Sequence, residues 1–389
     1  MPLPAREVRL GIAGLLAAAL LAACGDEQAP ATPAPAAAGG SDVLNVYNWS
    51  DYIAEDTVPT FQNRTGLRVN YNVYSGNEVL IERLTATPDA YDVIFPSARP
   101  FAEELVAGKA LLALDKSKLP NLRNLDPAIL AELADIDPGN AHLVPYMWGT
   151  TGLGLNVAQV REALGPDAAL DTWGLVFDPA NAAKLSRCGI GVIDDNLETS
   201  SALRLWQGRS ASDHSAEADE ATRRALLAIR PHVRKVTGSS ELIRDLADGD
   251  LCLVLSFSGD VLQARAQAAE AAETAGTAAP EIRYVIPREG AVRWVDVIAI
   301  PAKARNPAAA HRFIDYLLEP KVIAGISNYV SYANANAAST SSLDPAISGD
   351  PGIYPPDSVR AKLQQMEPAT TEDAERRKQT WNAFVFGEM

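Results

Sequence analysis

The chain has 389 residues, of which 34 are Lys or Arg and 49 are Asp or Glu, so its net charge is −15 at pH 7. This excess of acidic residues argues against nucleic acid or an anionic membrane surface as a partner. It permits a cationic ligand without locating a site for one. The length exceeds what one compact core usually holds, which predicts an architecture of two lobes.

Residues 1–23 predict an export signal that is removed from the mature chain. Arg6 and Arg9 precede an apolar run over residues 10–21, which is too short to span a bilayer. The run ends in small residues directly before Cys24, a pattern that resembles the cleavage site of bacterial lipoproteins. Lipid on Cys24 would then tether the mature chain to a membrane surface. Ordinary signal cleavage near the same place, releasing a free exported chain, is the alternative.

Residues 24–40 are rich in Ala and Pro and predict an extended tether, because they lack the apolar periodicity of a core segment. The folded part is therefore expected to begin near Ser41. Without residues 1–23 the net charge is −16.

Two cysteines, Cys188 and Cys252, remain once Cys24 is assigned to lipid. In an exported, oxidising environment the simplest interpretation is one disulfide between them. Two free buried thiols are the alternative.

Strand and helix patterns alternate over the first part of the folded chain. Strands are predicted around residues 44–48, 67–74 and 92–96, and helices at 54–63, 77–86 and 101–106. Gly66 follows the first helix as a candidate C-terminal cap. The alternation predicts a mostly parallel, doubly wound α/β sheet, and residues 111–125 are predicted to be irregular.

A crossing between the lobes is predicted near residues 149–156, where Gly152 and Gly154 interrupt a strand pattern and indicate close backbone approach. The Gly-x-Gly spacing lacks a third glycine and a following helix start, so it predicts no dinucleotide site, and no cofactor is expected. Lobe 1 is predicted to comprise residues 41–148 and about 282–328, and lobe 2 residues 149–281 and about 329–389.

The remaining elements continue the α/β pattern. Strands are predicted at 189–193, 251–257, 282–287 and 294–301, and helices at 200–206, 222–229, 240–248, 261–274 and 308–318. The tail from residue 350 onward is punctuated by Pro and then becomes helical and charged.

Aromatic residues are paired with carboxylates at or near several predicted strand ends. The pairs are Trp49 and Tyr52 with Asp51, Phe257 with Asp260, Trp294 with Asp296, and an acidic stretch over residues 194–198. Any one pair fits a core aromatic residue beside a helix cap. Four pairs spread over both halves of the chain instead favour a cleft between lobes, because the carboxyl ends of strands line the ligand crevice of open α/β sheets.

The chemistry of these pairs suits an alkyl polyamine. Its ammonium groups lose water on binding, and charge-assisted hydrogen bonds to carboxylates must offset that loss. Its methylenes need apolar walls, and aromatic faces add cation–π attraction of about 0.5–2 kcal/mol per ammonium. The spacing of the carboxylates would then select the length of the amine.

Five runs carry a specific resemblance. They are YNWSDYI at residues 47–53, LDKSKLP at 114–120, PYMW at 145–148, YANAN at 332–336 and PGIYPP at 351–356. Together they resemble the bacterial periplasmic polyamine-binding proteins of ABC importers, most of all the putrescine-binding branch. The resemblance extends from Leu44 to about Lys362.

The resemblance implies a two-lobed, hinged, type II periplasmic binding protein fold with a polyamine held between the lobes. It implies a disulfide between Cys188 and Cys252, permease subunits as partners, and a membrane contact only through the lipid anchor. We also expect a monomer that binds no nucleic acid. The implied ligand-binding residues are Trp49, Ser50, Asp51, Tyr52 and Ser97 from the first lobe, Asp195, Glu198, Phe257 and Asp260 from the second, and Trp294, Asp296 and Tyr332 around the centre.

Four positions bear on ligand length. Phe257 stands where the family usually has Trp, and Trp294 stands where the putrescine branch has Phe and the spermidine branch Trp. Asp195 resembles the spermidine branch, whereas Asp51 follows the putrescine branch. Whole-chain likeness favours putrescine over spermidine, and agmatine or cadaverine remain open.

An enzyme and a binder of another solute are the rival classes. The four histidines have no spacing typical of a metal site, and no Gly-x-Ser-x-Gly elbow or phosphate-binding loop occurs, so neither catalysis nor a metal is expected. A binder of carboxylates or phosphates would want an arginine in the site. Arg293 lies beside Trp294, but it is expected on the opposite strand face as a solvated surface residue.

Overall fold

The computed structural model describes residues 42–387. The predicted export signal, the tether and Cys24 lie outside the described residues. Eleven strands occur within residues 42–387: β1 (Val43–Trp49), β2 (Arg68–Tyr74), β3 (Val93–Ile94), β4 (Val144–Asn156), β5 (Ile190–Ile193), β6 (Lys235–Thr237), β7 (Leu253–Phe257), β8 (Ile282–Val285), β9 (Ala291–Ile298), β10 (Ala333–Asn334) and β11 (Leu363–Gln364).

The same part of the chain forms sixteen α-helices, in addition to short 3₁₀ and π turns. They are α1 (Thr57–Thr65), α2 (Asn77–Ala86), α3 (Glu103–Ala107), α4 (Pro127–Leu133), α5 (Val157–Leu164), α6 (Gly174–Phe177), α7 (Pro179–Leu185), α8 (Asn196–Trp206), α9 (Ala216–Ile229), α10 (Ser239–Ala247), α11 (Ser258–Ala275), α12 (Pro307–Leu317), α13 (Pro320–Val330), α14 (Pro345–Ser348), α15 (Asp357–Arg360) and α16 (Thr371–Phe386). Within residues 42–387 no helix has both the length and the apolar character that a bilayer-spanning segment needs.

A small parallel sheet holds the start of the folded chain. Its order is β2-β1-β3, with β1 central and parallel to both neighbours. Leu44 and Val46 of β1 are fully buried, since a central strand covered on both faces needs apolar side chains. Gly66 ends α1 with φ +72°, in the left-handed region that a side chain disfavours, as the predicted cap requires.

The larger sheet is mixed, which corrects the mostly parallel sheet predicted from the sequence. Its order is β11-β9-β4-β7-β5-β6, and β8 and β10 also pair with β4. Strand β4 runs antiparallel to all four of its partners, whereas β5 is parallel to β6 and β7. The alternation of helices and strands predicts α/β layering, but it does not reveal that the chain reverses direction around one long strand.

Strand β4 is buried along all of its 13 residues. Its first half pairs with β9 as far as Thr150, and its second half pairs with β7 from Thr151 onward. A Cβ atom on Gly152 would lie 2.5 Å from the carbonyl oxygen of Val285. The glycine therefore permits the close backbone approach that the sequence predicts.

Several boundaries differ from prediction. Helix α2 spans the predicted 77–86, but α8 begins at Asn196 instead of 200 because Asp195 caps it by accepting from the Glu198 N–H at 3.0 Å. Strand β6 and helix α13 are absent from the prediction.

Arg293 is not the solvated surface residue predicted. One guanidinium nitrogen donates to both carboxylate oxygens of Glu132 at 2.9 Å, and the guanidinium stacks over the Trp148 ring at 5.2 Å.

A disulfide joins Cys188 and Cys252, as predicted, with their Cα atoms 5.5 Å apart. It links the turn before β5 to the residue that precedes β7. These two strands are adjacent in the larger sheet, so the bond reinforces one of its parallel pairs.

Candidate ligand-binding pocket

One cavity brings together eleven of the twelve residues predicted to bind ligand. Asp51 is the exception. The residues that line the cavity are Trp49, Ser50, Tyr52, Asn77, Ser97, Phe101, Asp195, Leu197, Glu198, Ser239, Phe257, Asp260, Trp294, Asp296, Tyr332 and Met366. We call this cavity the inner pocket. None of these lining residues is Lys, Arg or His.

Strand β1 delivers the first wall. Trp49 ends the strand, and its indole N–H donates to the carbonyl of Phe95 at 2.7 Å. The Trp49 ring packs against Tyr74 at a centroid distance of 4.8 Å. With its polar edge satisfied and one side packed, the indole is held as a fixed wall.

Asp296 is oriented by Ser97, which is itself held by Asn77 of α2. The Ser97 hydroxyl donates to Asp296 Oδ1 at 2.7 Å. Asn77, the first residue of α2, in turn donates to the Ser97 hydroxyl at 3.1 Å and accepts from the Ser97 N–H at 3.0 Å. Asp296 is therefore oriented by uncharged donors, which leave its charge without a counter-ion. The chain Asn77–Ser97–Asp296 is absent from the sequence prediction, although α2 itself is predicted to begin at residue 77.

Asp260 is held in a similar way in the first turn of α11. Its Oδ1 accepts from the Tyr332 hydroxyl at 2.6 Å, and its Oδ2 accepts from the Ser256 hydroxyl at 3.2 Å. Tyr332 can approach this closely because Gly259 has no side chain: a Cβ there would lie 2.4 Å from the phenol ring. Its donors are again neutral hydroxyls.

Glu198 and Asp195 occupy the N-terminus of α8, where the helix dipole favours negative charge. Glu198 is buried, with only 3% of its surface exposed, and accepts from the Thr151 hydroxyl at 2.5 Å. Asp195 is partly buried and caps the helix. The predicted acidic stretch thus begins a helix and supplies two carboxylates to the inner pocket.

Phe257, Trp294 and Tyr332 form a continuous aromatic wall. The ring of Trp294 lies 5.6 Å from that of Phe257 and 5.5 Å from that of Tyr332, both nearly edge to face. Behind Trp294, a Cβ on Gly149 would meet its ring at 2.7 Å. Trp294 and Asp296 lie in the middle of β9 rather than at the predicted strand start, and their spacing of two residues puts both side chains on the same strand face.

Burial raises the pKa of all four carboxyl groups. The pKa of Asp296 is raised to about 7 and that of Asp260 to about 6, because desolvation outweighs the hydrogen bonds from Ser97 and Tyr332. Burial and the nearby Glu78 raise the pKa of Asp195 to about 7. Burial and Asp195 hold the pKa of Glu198 well above its ordinary value. These carboxylates ionise reluctantly unless a positive charge joins them.

Asp51 lies outside the lining, although Ser50 and Tyr52 on either side belong to it. Asp51 is exposed, adopts φ +53°, and accepts a hydrogen bond from the Ser240 hydroxyl of α10. Asp51 therefore contacts α10 at the margin of the inner pocket.

Five lining residues are missing from the sequence prediction: Asn77, Phe101, Leu197, Ser239 and Met366. Asn77 and Ser239 begin helices α2 and α10, a position that the helix patterns indicate only to within a residue. Phe101, Leu197 and Met366 are apolar and carry no signal that distinguishes a pocket wall from a core.

Comparison with known proteins gives a consistent family. Residues 57–355 match the model of bacterial extracellular solute-binding proteins. The putrescine-binding periplasmic protein PotF of Escherichia coli is 44% identical over 82% of this chain and 85% of its own, and SpuD of Pseudomonas aeruginosa is 41% identical over 89% and 93%. A solved chain from Listeria monocytogenes, described as a spermidine/putrescine ABC transporter, has a TM-score of 0.76 and 29% identity over 88% of this chain and 99% of its own.

The chain belongs to the family of bacterial extracellular solute-binding proteins. The predicted resemblance to periplasmic polyamine-binding proteins is confirmed by these relatives, and so is the predicted fold class.

Proposed function

We propose that the protein captures a polyamine, with putrescine favoured, and delivers it to the membrane subunits of an ABC importer. The observation that carries this proposal is the charge of the inner pocket: four carboxylates among its lining residues and no basic side chain. Buried carboxylates without a counter-ion favour a ligand that brings positive charge. The relatives named as putrescine-binding proteins support the same ligand class.

The pocket suits a short, linear dication. Asp296 and Asp260 are oriented by separate hydroxyl networks, so each presents a fixed acceptor to an ammonium group. The rings of Trp294 and Tyr332 line the same pocket and supply apolar surface for the methylenes and cation–π attraction for the ammonium groups. Spermidine is the second candidate, because Asp195 adds a further carboxylate at the rim. Agmatine and cadaverine carry the same chemistry.

The proposed mechanism of capture is closure of the two lobes around the ligand. A ligand that bridges carboxylates on two lobes stabilises the closed arrangement over the open one. We propose the lobe boundaries predicted from the sequence, with β4 as one of the crossings. The protein would carry its ligand unchanged rather than act as an enzyme, and ATP hydrolysis would occur in other subunits.

Location follows from the same proposal. A binding protein of an importer works outside the inner membrane, and the relatives are periplasmic by name. We propose a periplasmic monomer held to a membrane surface through lipid on Cys24.

Calorimetric titration tests the ligand. Purified protein, unfolded and refolded to remove bound amine, is titrated with putrescine, cadaverine, agmatine and spermidine. We expect one-to-one binding that is tightest for putrescine. Preference for spermidine would move the ligand assignment to the longer amine, and absence of heat with every amine would overturn the polyamine proposal.

A further inference from the structure

A second, larger cavity adjoins the inner pocket. It has a volume of about 590 Å³ and is lined mainly by α2, the start of α8 and one face of α16. Four residues line both cavities: Phe101, Asp195, Leu197 and Met366. The two cavities therefore adjoin at these four residues. We call the larger one the outer cavity.

Arg377 of α16 lines the outer cavity and is 6% exposed. Its guanidinium makes one long hydrogen bond, from Nε to the backbone carbonyl of Asp373 at 3.4 Å. Within residues 42–387, no carboxylate oxygen lies within 4 Å of this guanidinium. A buried cation without a partner is costly, so it needs an anion from elsewhere.

The nearest carboxylates already bind other groups. Asp219 accepts from Arg204 at 2.6 Å and from Arg376 at 3.1 Å. Asp373 accepts from the Thr370 hydroxyl at 2.6 Å and also pairs with Arg376. Burial and the positive charge of Arg204 lower the pKa of Arg377, although the charges of Asp219 and Asp373 partly oppose that shift.

Helix α8 gives a scale for the distance from the carboxylate of Asp195 to the part of the outer cavity that contains Arg377. Asp195 and Ser201 both line the outer cavity, and six residues of helix correspond to a rise of about 9 Å. The Ser201 hydroxyl and Arg204 both donate to the carbonyl of Ala211, and Arg204 is close enough to Arg377 to lower its pKa, so we place Arg377 toward the Ser201 end of the outer cavity. A carboxylate on a chain of about six atoms would span that distance.

We propose that the outer cavity is a second ligand subsite, in which Arg377 binds the carboxylate of a diamine that carries an acidic alkyl extension. The diamine end lies in the inner pocket, so the inference rests on the proposed function, and the extension passes between Asp195 and Met366. A guanidinium binds a carboxylate with two parallel hydrogen bonds, which suits the unpaired nitrogens of Arg377. Lys378 lines the same cavity and adds positive charge beside Arg377. The cavity is also lined by five acidic residues: Glu78, Glu104, Asp194, Asp195 and Glu367.

Two synthetic amines of equal length test this assignment. N-(5-carboxypentyl)-1,4-diaminobutane carries the carboxylate, and N-hexyl-1,4-diaminobutane lacks it. In calorimetric titration of the full chain we expect the carboxylated amine to bind about tenfold more tightly than the hexyl amine. In Arg377→Gln that ratio falls to about one. Arg312→Gln removes the same charge from an exposed helix position and keeps the ratio of the unaltered chain.

A second variant guards against misfolding of Arg377→Gln. Ala374 is exposed on α16 and lines the outer cavity three residues before Arg377. Ala374→Glu places a carboxylate where it can pair with Arg377, so the preference for the carboxylated amine should also be lost while α16 stays intact.

The contrary outcomes are distinct. Equal affinity of both amines for the unaltered chain overturns the inference, and so does a preference that survives Arg377→Gln. Hexanoate that binds alone as tightly as the carboxylated amine would show a free-anion site and overturn the spanning ligand. Absence of binding by unmodified 1,4-diaminobutane removes the proposed function itself. Binding of that diamine without any preference between the two probes removes only the subsite.

Discussion

Buried carboxylates have different partners in two regions of the molecule. One region is the inner pocket, and the other is the ion cluster formed by Asp219, Arg204 and Arg376 of α16. Asp219, 6% exposed, lies between Arg204 and Arg376 and is neutralised within the fold. Asp260 is equally buried, but its carboxylate accepts hydrogen bonds from the hydroxyl groups of Ser256 and Tyr332 and has no ion-pair partner within residues 42–387. Equal burial therefore does not define a role. The partner does: a carboxylate paired inside the fold stabilises it, whereas an unpaired one is available to a ligand.

The largest expected effect is on stability, from Asp219→Ala. Removing this carboxylate leaves Arg204 fully buried and unpaired, so we expect the free energy of unfolding to fall by about 3–5 kcal/mol. Chemical denaturation measures it. Putrescine affinity of the folded protein should change by less than about threefold, since the cluster does not line the inner pocket. Asp135→Ala, at an exposed position, is the control. If Asp219→Ala lowered the free energy of unfolding no more than this control does, the contrast between the two regions would be wrong.

Asp296→Asn is expected to weaken ligand binding without lowering the stability of the empty protein. Loss of one charge-assisted interaction should weaken putrescine binding by about a hundredfold. The empty protein should be as stable as before or more so, because an unpaired buried carboxyl is gone. Titration calorimetry and thermal unfolding of the empty protein measure the two quantities, with Asp135→Asn as the control. Nearly unchanged affinity would remove Asp296 from the site.

Binding is expected to depend on pH in a defined direction. The pKa values of Asp296 and Asp195 are raised to about 7 and that of Asp260 to about 6, so the empty folded protein holds protons that the unfolded chain would release. The stability from these groups is fully present below about pH 4 and is lost as the pH rises through about 7.

A dication requires the ionised forms, so its affinity should rise at least about tenfold between pH 5 and pH 8. Titrations across that range at constant ionic strength measure it. In Asp296→Asn the slope should be shallower. A flat profile in the unaltered protein would show that these carboxylates are already ionised without ligand.

The smallest effect is expected from Asp51→Asn. Asn also tolerates the left-handed conformation at this position, so the backbone should not change. The charge of Asp51 contributes to the raised pKa of Asp260 but does not line the pocket. Putrescine affinity should therefore change by about threefold or less. A loss above about tenfold would place Asp51 in direct contact with ligand, as the family resemblance implies.

Sequence reasoning works best where one pattern decides the outcome. Helix α2 matches its predicted bounds because apolar residues recur at helical spacing between a glycine and a Thr-Pro pair. The start of α8 is misplaced because an acidic stretch looks like a loop until Asp195 is known to cap it. The mixed sheet depends on which strands return alongside β4, a long-range property that local periodicity does not contain.

The pocket divides in the same way. Its carboxylates and aromatic walls are recognisable because their pairing recurs in the sequence. Asn77 is not, since its contact with Ser97 joins side chains that lie 20 residues apart. The proposed role of Arg377 is beyond sequence reasoning for a different reason: it rests on a guanidinium that has no carboxylate partner within residues 42–387, which only the packed structure reveals.

The glycines behind the aromatic wall have a consequence for how the width of the inner pocket is set. Gly149 and Gly259 lie at the back of Trp294 and Tyr332, where a Cβ atom would overlap each ring. A single methyl group at either position would push a ring forward into the space for methylenes. The choice of amine can therefore be altered by residues behind the aromatic wall, which do not line the inner pocket themselves.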